Sequence, residues 1–144
     1  LNPGINFKSY DLKNVYGSIV ITPWSSKILF ANSDISKLPV INIFGGPLDF
    51  GRIEEGESSV SKWYTVNVEN LTEPLIITSP EGFEISTDVD GVYSRSISLK
   101  YVNGISDEII FVKFVPEDEK NYYGYISNKS GNVEMKIKIV GTSR

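Results

Sequence analysis

Alternation places Trp63 and Phe111 on the outward faces of strands expected at 62–69 and 108–115, with Lys113 beside them. Flat exposed rings stack on the C–H faces of sugars, because the π-system presents a negative face. A lysine or arginine at the edge of such a platform suits a carboxylated or sulfated sugar. Tyr123 and Tyr125 form a second outward pair on a strand expected at 121–128, and Trp24 falls in a turn. Two readings stay open for the first group: Trp63, Ile109 and Phe111 form a stacking surface, or the amino-terminal segment covers them. Tyr123 and Tyr125 either bind or pack across strands. Trp63, Phe111, Lys113, Tyr123 and Tyr125 are therefore the candidate carbohydrate-binding residues.

The carboxylates point to less. Asp88-Val89-Asp90-Gly91 resembles the opening of a calcium loop, but position 99, where a bidentate acid belongs, is Leu, between Ser98 and Lys100. An Asp-Gly turn between strands is the simpler reading. Glu117-Asp118-Glu119 beside Lys120, and Glu54, Glu55 and Glu57, read as solvated loops. Nothing marks the paired carboxylates that glycoside hydrolysis needs. The chain has no histidine and no cysteine, so it has no Ser-His-Asp triad, thiolate nucleophile, disulfide or thiolate metal site. No catalytic residue, metal or cofactor is expected.

The elements that must position these residues are strands. Glycines and prolines are spread along the chain, and no amphipathic helix is legible. Strands are expected at 17–22 and 27–31 around the turn Pro23-Trp24-Ser25-Ser26, with a polar linker at 32–38. From Pro39 a regular series follows, at 40–44, 48–53, 62–69, 74–78, 83–86, 95–101, 108–115, 121–128 and 132–140. Gly45-Gly46-Pro47, Glu55-Gly56, Glu81-Gly82, Asp90-Gly91, Asn103-Gly104 and Ser130-Gly131 punctuate it. Parity turns Tyr64, Val66 and Val68 inward, with Ile110, Val112 and Phe114, and with Val133, Met135, Ile137 and Ile139. Tyr122, just past an acidic turn, is placed to cap a crossing loop with its hydroxyl. The expected fold is all-β: an immunoglobulin-like antiparallel β-sandwich over 39–144, after an amino-terminal β-hairpin and linker over 1–38. Ile19, Ile21, Ile28 and Phe30 need cover, so the hairpin is expected to pack on the sandwich.

Residues 43–144 resemble the immunoglobulin-like repeats of large secreted and surface proteins of Bacteroidetes-type bacteria. The likeness rests on Phe50-Gly51, Tyr64-x-Val66-x-Val68 with Asn70-Leu71, and Leu75-x-Ile77-x-x-Pro80-x-Gly82-Phe83-Glu84-Ile85-Ser86-Thr87-Asp88. It continues through Val112-x-Phe114-x-Pro116, Tyr122-x-Gly124-x-Ile126 and Val140-Gly141-Thr142. Gly17-x-Ile19-x-Ile21-x-Pro23-Trp24-Ser25-Ser26-Lys27-Ile28-Leu29 resembles the closing hairpin of β-sandwich domains that end the catalytic part of secreted glycan-degrading enzymes. Residues 1–31 are too few to rebuild such a domain. The resemblance implies a non-catalytic accessory module of a secreted or cell-surface bacterial polysaccharide-degrading protein, with parent enzyme domains in the same chain.

Composition narrows the partners. A net charge of −4 opposes nucleic acid, which needs clustered Lys and Arg. No apolar run is long enough to span a membrane. LNPGINFKSY has neither a basic flank nor a hydrophobic run, so it is not expected to be a signal peptide, and a start at Leu1 reads as a processed or excised piece. The aromatic content of 12% tips the expectation toward weak polysaccharide binding. A structural spacer and an adhesion or protein-interaction module remain the alternatives.

Overall fold

The structure, a computed structural model, describes residues 38–101 and 105–144, with the backbone of two short strands at 19–20 and 29–30. The chain divides into two compact units, 1–37 and 38–144. In the first, β1 (Ile19–Val20) pairs antiparallel with β2 (Leu29–Phe30), Ile19 opposite Phe30. The rest of the expected hairpin, its turn at Trp24 and its packing lie outside the described residues.

The second unit is a sandwich of two sheets. Its strands are β3 (Val40–Phe44), β4 (Leu48–Ile53), β5 (Lys62–Glu69), β6 (Leu75–Thr78) and β7 (Phe83–Ser86). They continue with β8 (Ser96–Leu99), β9 (Ile105–Phe114), β10 (Asn121–Ser130) and β11 (Val133–Ser143). One sheet has the order β3-β5-β9-β7 and the other β4-β11-β10-β6-β8. Among the described residues there is no helix, and hence none long and apolar enough to cross a membrane.

Between the sheets lie the inward residues that alternation names. Tyr64, Val66, Val68, Ile77, Phe83, Ile85, Ile110, Val112, Phe114, Tyr122, Ile126, Ile137 and Ile139 are all buried. At one end Phe50, Phe83, Phe114 and Tyr122 form an aromatic cluster, with Phe83 and Phe114 stacked at 4.9 Å and Tyr122 edge-on to Phe114 at 5.2 Å. Each fully buried apolar side chain of this kind stabilises the fold by about 1.5–3 kcal/mol. Buried polar groups interrupt the apolar core, Asn128 and Ser130 among them. Tyr64 donates its hydroxyl to Asn128 Oδ1 (2.9 Å), which ties β5 to β10 across the sandwich, and Asn128 donates to the Met135 carbonyl (3.3 Å). Ser130 donates to the Glu73 carbonyl at 2.8 Å.

Three expectations are corrected. Met135 has inward parity but is 43% exposed, because β4 flanks β11 only from Ile139 onward and leaves Met135 at an open sheet edge. The strands β10 and β11 run further than expected, to Ser130 and Ser143. Their polar residues hid the ends, although pairing is continuous from Asn121–Thr142 to Ser130–Val133. The sandwich is not wholly antiparallel: β4 runs parallel to β11. Gly45 and Gly46, both at positive φ (+99° and +97°), carry the chain from β3 in one sheet to β4 in the other.

Candidate functional site

The outer face of the β3-β5-β9-β7 sheet carries the first candidate group. Trp63 lies directly opposite Phe111, and on the adjoining rank Phe44 on β3, Thr65 on β5 and Ile109 on β9 are in register. Trp63 is 62% exposed and Phe111 half-buried. Phe44 and Ile109 are exposed as well, so these four large apolar side chains lie together on this face, with Ile105 exposed further along it. Phe44 was legible by parity but was not assigned to the group. Lys113 does not stand free at the patch edge. It lies opposite Glu84, and its ammonium sits 4.1 Å from the centroid of the Tyr93 ring, in cation–π contact. Tyr93 is itself held by a hydrogen bond from its hydroxyl to the Val89 carbonyl (3.0 Å). Further along the face, Asn42 donates to Asn67 Oδ1 (3.2 Å) and Asn67 donates to Asp107 (2.8 Å). Those polar groups already satisfy one another, which leaves the patch itself mostly apolar.

Tyr123 and Tyr125 stand on the outer face of the other sheet, 81% and 58% exposed. On β11, Val140 is opposite Tyr123 and Lys138 opposite Tyr125. Beside Tyr123 the surface opens into a depression of about 530 Å³, bounded by Asp49, Arg52, Asn121, Val140 and Thr142. Two backbone features shape it. The β4–β11 register shifts between Val140 and Thr142, and Gly51 takes a left-handed φ of +63° with open space where a Cβ would stand. The polar rim is partly ordered. Asp49 Oδ1 accepts from the Gly51 N–H (2.8 Å), and Thr142 donates to Asn121 Oδ1 (3.0 Å), with the Asn121 side-chain N–H groups finding no partner among the described residues. Arg52, opposite Thr142, forms no ion pair with any described residue.

The structure thus holds the five sequence-chosen residues on two opposite faces: Trp63, Phe111 and Lys113 on one, Tyr123 and Tyr125 on the other. Sequence reasoning missed Asp49, Arg52, Asn121 and Thr142. The β10–β11 pair sets Asn121 beside Thr142 and the parallel β4–β11 pairing adds Asp49 and Arg52, and alternation along one strand carries no signal of that pairing.

The acidic segments are turns and loops. Asp88 accepts the Asp90 N–H on its side chain (3.0 Å) and the Gly91 N–H on its carbonyl (3.1 Å). The 117–119 loop is gathered by the Tyr122 hydroxyl, and Lys120 bridges Glu81 (2.6 Å) and Asp118 (3.3 Å). Among the described residues no three His, Cys, Asp or Glu side chains are grouped to hold a metal ion.

No protein-family model and no curated protein sequence matches the chain. Among solved structures, it is similar to the ASH / PapD-like domain of human CEP192 (PapD-like domain 7), at 15% identity and a TM-score of 0.47, over 87% of this chain and 98% of that one. An engineered protein is similar at 13% identity and a TM-score of 0.33, over 76% of this chain and 21% of that one. Neither likeness bears on what the chain binds.

Proposed function

We propose that residues 38–144 are a non-catalytic accessory module of a secreted or cell-surface bacterial polysaccharide-degrading protein, binding carbohydrate weakly through outward aromatics. The observation that carries this reading is Tyr123: a ring 81% exposed, on a rigid strand, beside an open depression rimmed by Asp49, Arg52 and Asn121. A strand-borne tyrosine loses little rotamer freedom when a sugar stacks on it. The amide, carboxylate and guanidinium groups beside it supply the directional hydrogen bonds that sugar hydroxyls require. The resemblance to immunoglobulin-like repeats of Bacteroidetes-type secreted proteins supports the setting. Affinity is expected in the micromolar to millimolar range, about 4–8 kcal/mol.

Affinity electrophoresis of the whole chain in polysaccharide gels tests this. Tyr123→Ala should weaken retention about fivefold, the loss of roughly 1 kcal/mol of stacking, without changing the melting temperature. Equal retention of the variant and parent would remove Tyr123 from the site, and no retention in any gel would leave the module a spacer.

A second reading has its own observation. The Phe44, Trp63, Ile109 and Phe111 face is apolar, and its nearby polar groups are satisfied internally, which suits a protein partner better than a sugar. Under that reading Trp63→Ala leaves glycan retention unchanged and weakens protein association.

A further inference from the structure

The charge around Tyr123 runs against the charge of the chain. The sequence carries a net −4, yet the outer face of β4, β10 and β11 presents Arg52, Lys129, Lys136 and Lys138 against only Asp49 and Glu134. Glu134 is already engaged, accepting from Ser127 (2.6 Å) and lying 3.8 Å from Lys136. Ser127 holds its carboxyl below the usual range, with Lys136 and Lys129 contributing. Arg52 and Lys138 have no carboxylate partner among the described residues. They flank the two exposed rings: Lys138 is opposite Tyr125, and Arg52 borders the depression next to Tyr123.

The geometry points to an acidic polysaccharide, one whose sugars carry carboxylates, as the ligand of this face. Tyr123 and Tyr125 stack its rings, and Arg52 and Lys138 bind its carboxylates. This rests on the glycan-binding reading above and names its substrate class. The tyrosines are two residues apart on one strand, so their Cα atoms are about 7 Å apart, and two rings of one sugar chain can lie along them. Guanidinium is the side chain whose planar fork matches a carboxylate, and an unpaired Arg at the rim has that fork free. Asp49 keeps its negative charge at the rim, but Arg52 and Lys138 outnumber it; one of its oxygens accepts the Gly51 N–H, and the other is free to accept a sugar hydroxyl. Val140, opposite Tyr123, gives the sugar ring an apolar neighbour. Nucleic acid shares the anionic chemistry, and its binding is one of the outcomes the test separates.

The test uses the full chain in gels containing polygalacturonate, the same polymer after carboxyl reduction, dextran sulfate or single-stranded DNA. Polygalacturonate should retain the parent, carboxyl reduction should abolish most of the retention, and raised salt should weaken it. Arg52→Gln and Lys138→Gln should each lower affinity for polygalacturonate about tenfold, as loss of one charge-assisted hydrogen bond does. Both positions are exposed, so melting curves should match the parent. Equal retention on the carboxyl-reduced polymer, with both Gln variants unchanged, overturns the acidic class and leaves glycan binding standing. Stronger retention by dextran sulfate or DNA, insensitive to Tyr123→Ala, shows a general anion-exchange surface and also overturns it. Retention by none of these polymers overturns this inference, while the glycan reading falls only if no other polysaccharide gel retains the chain either.

Discussion

The Tyr122 hydroxyl accepts the N–H groups of Glu117 (3.2 Å) and Asp118 (3.0 Å) and donates to the Asp118 carbonyl (3.2 Å). One side chain thereby fixes an acidic loop that would otherwise repel itself. Tyr122→Phe keeps the ring in the aromatic cluster and removes only these bonds, so urea denaturation should show a loss of about 1–2 kcal/mol. Tyr125→Phe, on the exposed face, should lose almost nothing. A second residue-scale prediction concerns pH. Burial pushes the Tyr101 hydroxyl up to about 12, and the Glu108 carboxylate adds to the effect. Burial raises Tyr64 as well, against the pull of its bond to Asn128. The folded state therefore holds these protons after the unfolded chain, with tyrosines near 10, has released them. Stability should be full below about pH 10 and fall as pH rises from there to about 12. Tyr101 Oη is buried with no hydrogen-bond partner, so Tyr101→Phe should leave stability at pH 7 unchanged or higher and flatten the alkaline fall.

At the scale of elements, the β4–β11 pair does most to shape the candidate surface. Its bulge needs small residues, for two different reasons. Gly51 sits at positive φ in open space, so Gly51→Ala should cost about 1–2 kcal/mol through the backbone alone. Gly141 has no such φ, but an added Cβ would come within 2.7 Å of the Phe114 ring, in the core. Gly141→Ala should therefore cost about 1–3 kcal/mol through overpacking, and thermal melting of the two variants measures both. The β5–β10 tie offers a further check. Tyr64→Phe and Asn128→Ala each strand a buried partner at a cost of about 1–3 kcal/mol. The double variant should lose less than the sum of the two, because neither group is then left waiting for the other.

For the molecule as a whole, the described core is built from residues between Ile41 and Ile139 and has both of its sheets within 38–144. A chain of residues 38–144 should therefore unfold cooperatively by itself, with one transition seen by both far-ultraviolet dichroism and tryptophan fluorescence from Trp63. Two transitions, or none, would show that residues 1–37 supply part of the core. The two outer faces differ in character across this sandwich. One is apolar around Trp63 and the other is cationic and aromatic around Tyr123, so substitutions on one should leave the chemistry of the other unchanged.

Most strand positions and faces were legible in the sequence, although β9, β10 and β11 run further than alternation showed. Alternation gave 62–69 and 83–86 to the residue, turned Val66, Val112 and Ile137 inward, and left Trp63, Tyr123 and Tyr125 outward. The loop-capping role of Tyr122 was legible from its place after an acidic turn. The tertiary structure alone decided which strands are neighbours. It put β4 parallel to β11, brought residues 49–52 beside 140–142, and seated Lys113 on Tyr93. It also left Met135 exposed where β11 lacks a neighbour. A period of two is a local property, fixed by where successive Cβ atoms point, so it can be read along a single strand. Pairing is non-local. It depends on how two faces bury their apolar residues together, and no stretch of one strand records its partner.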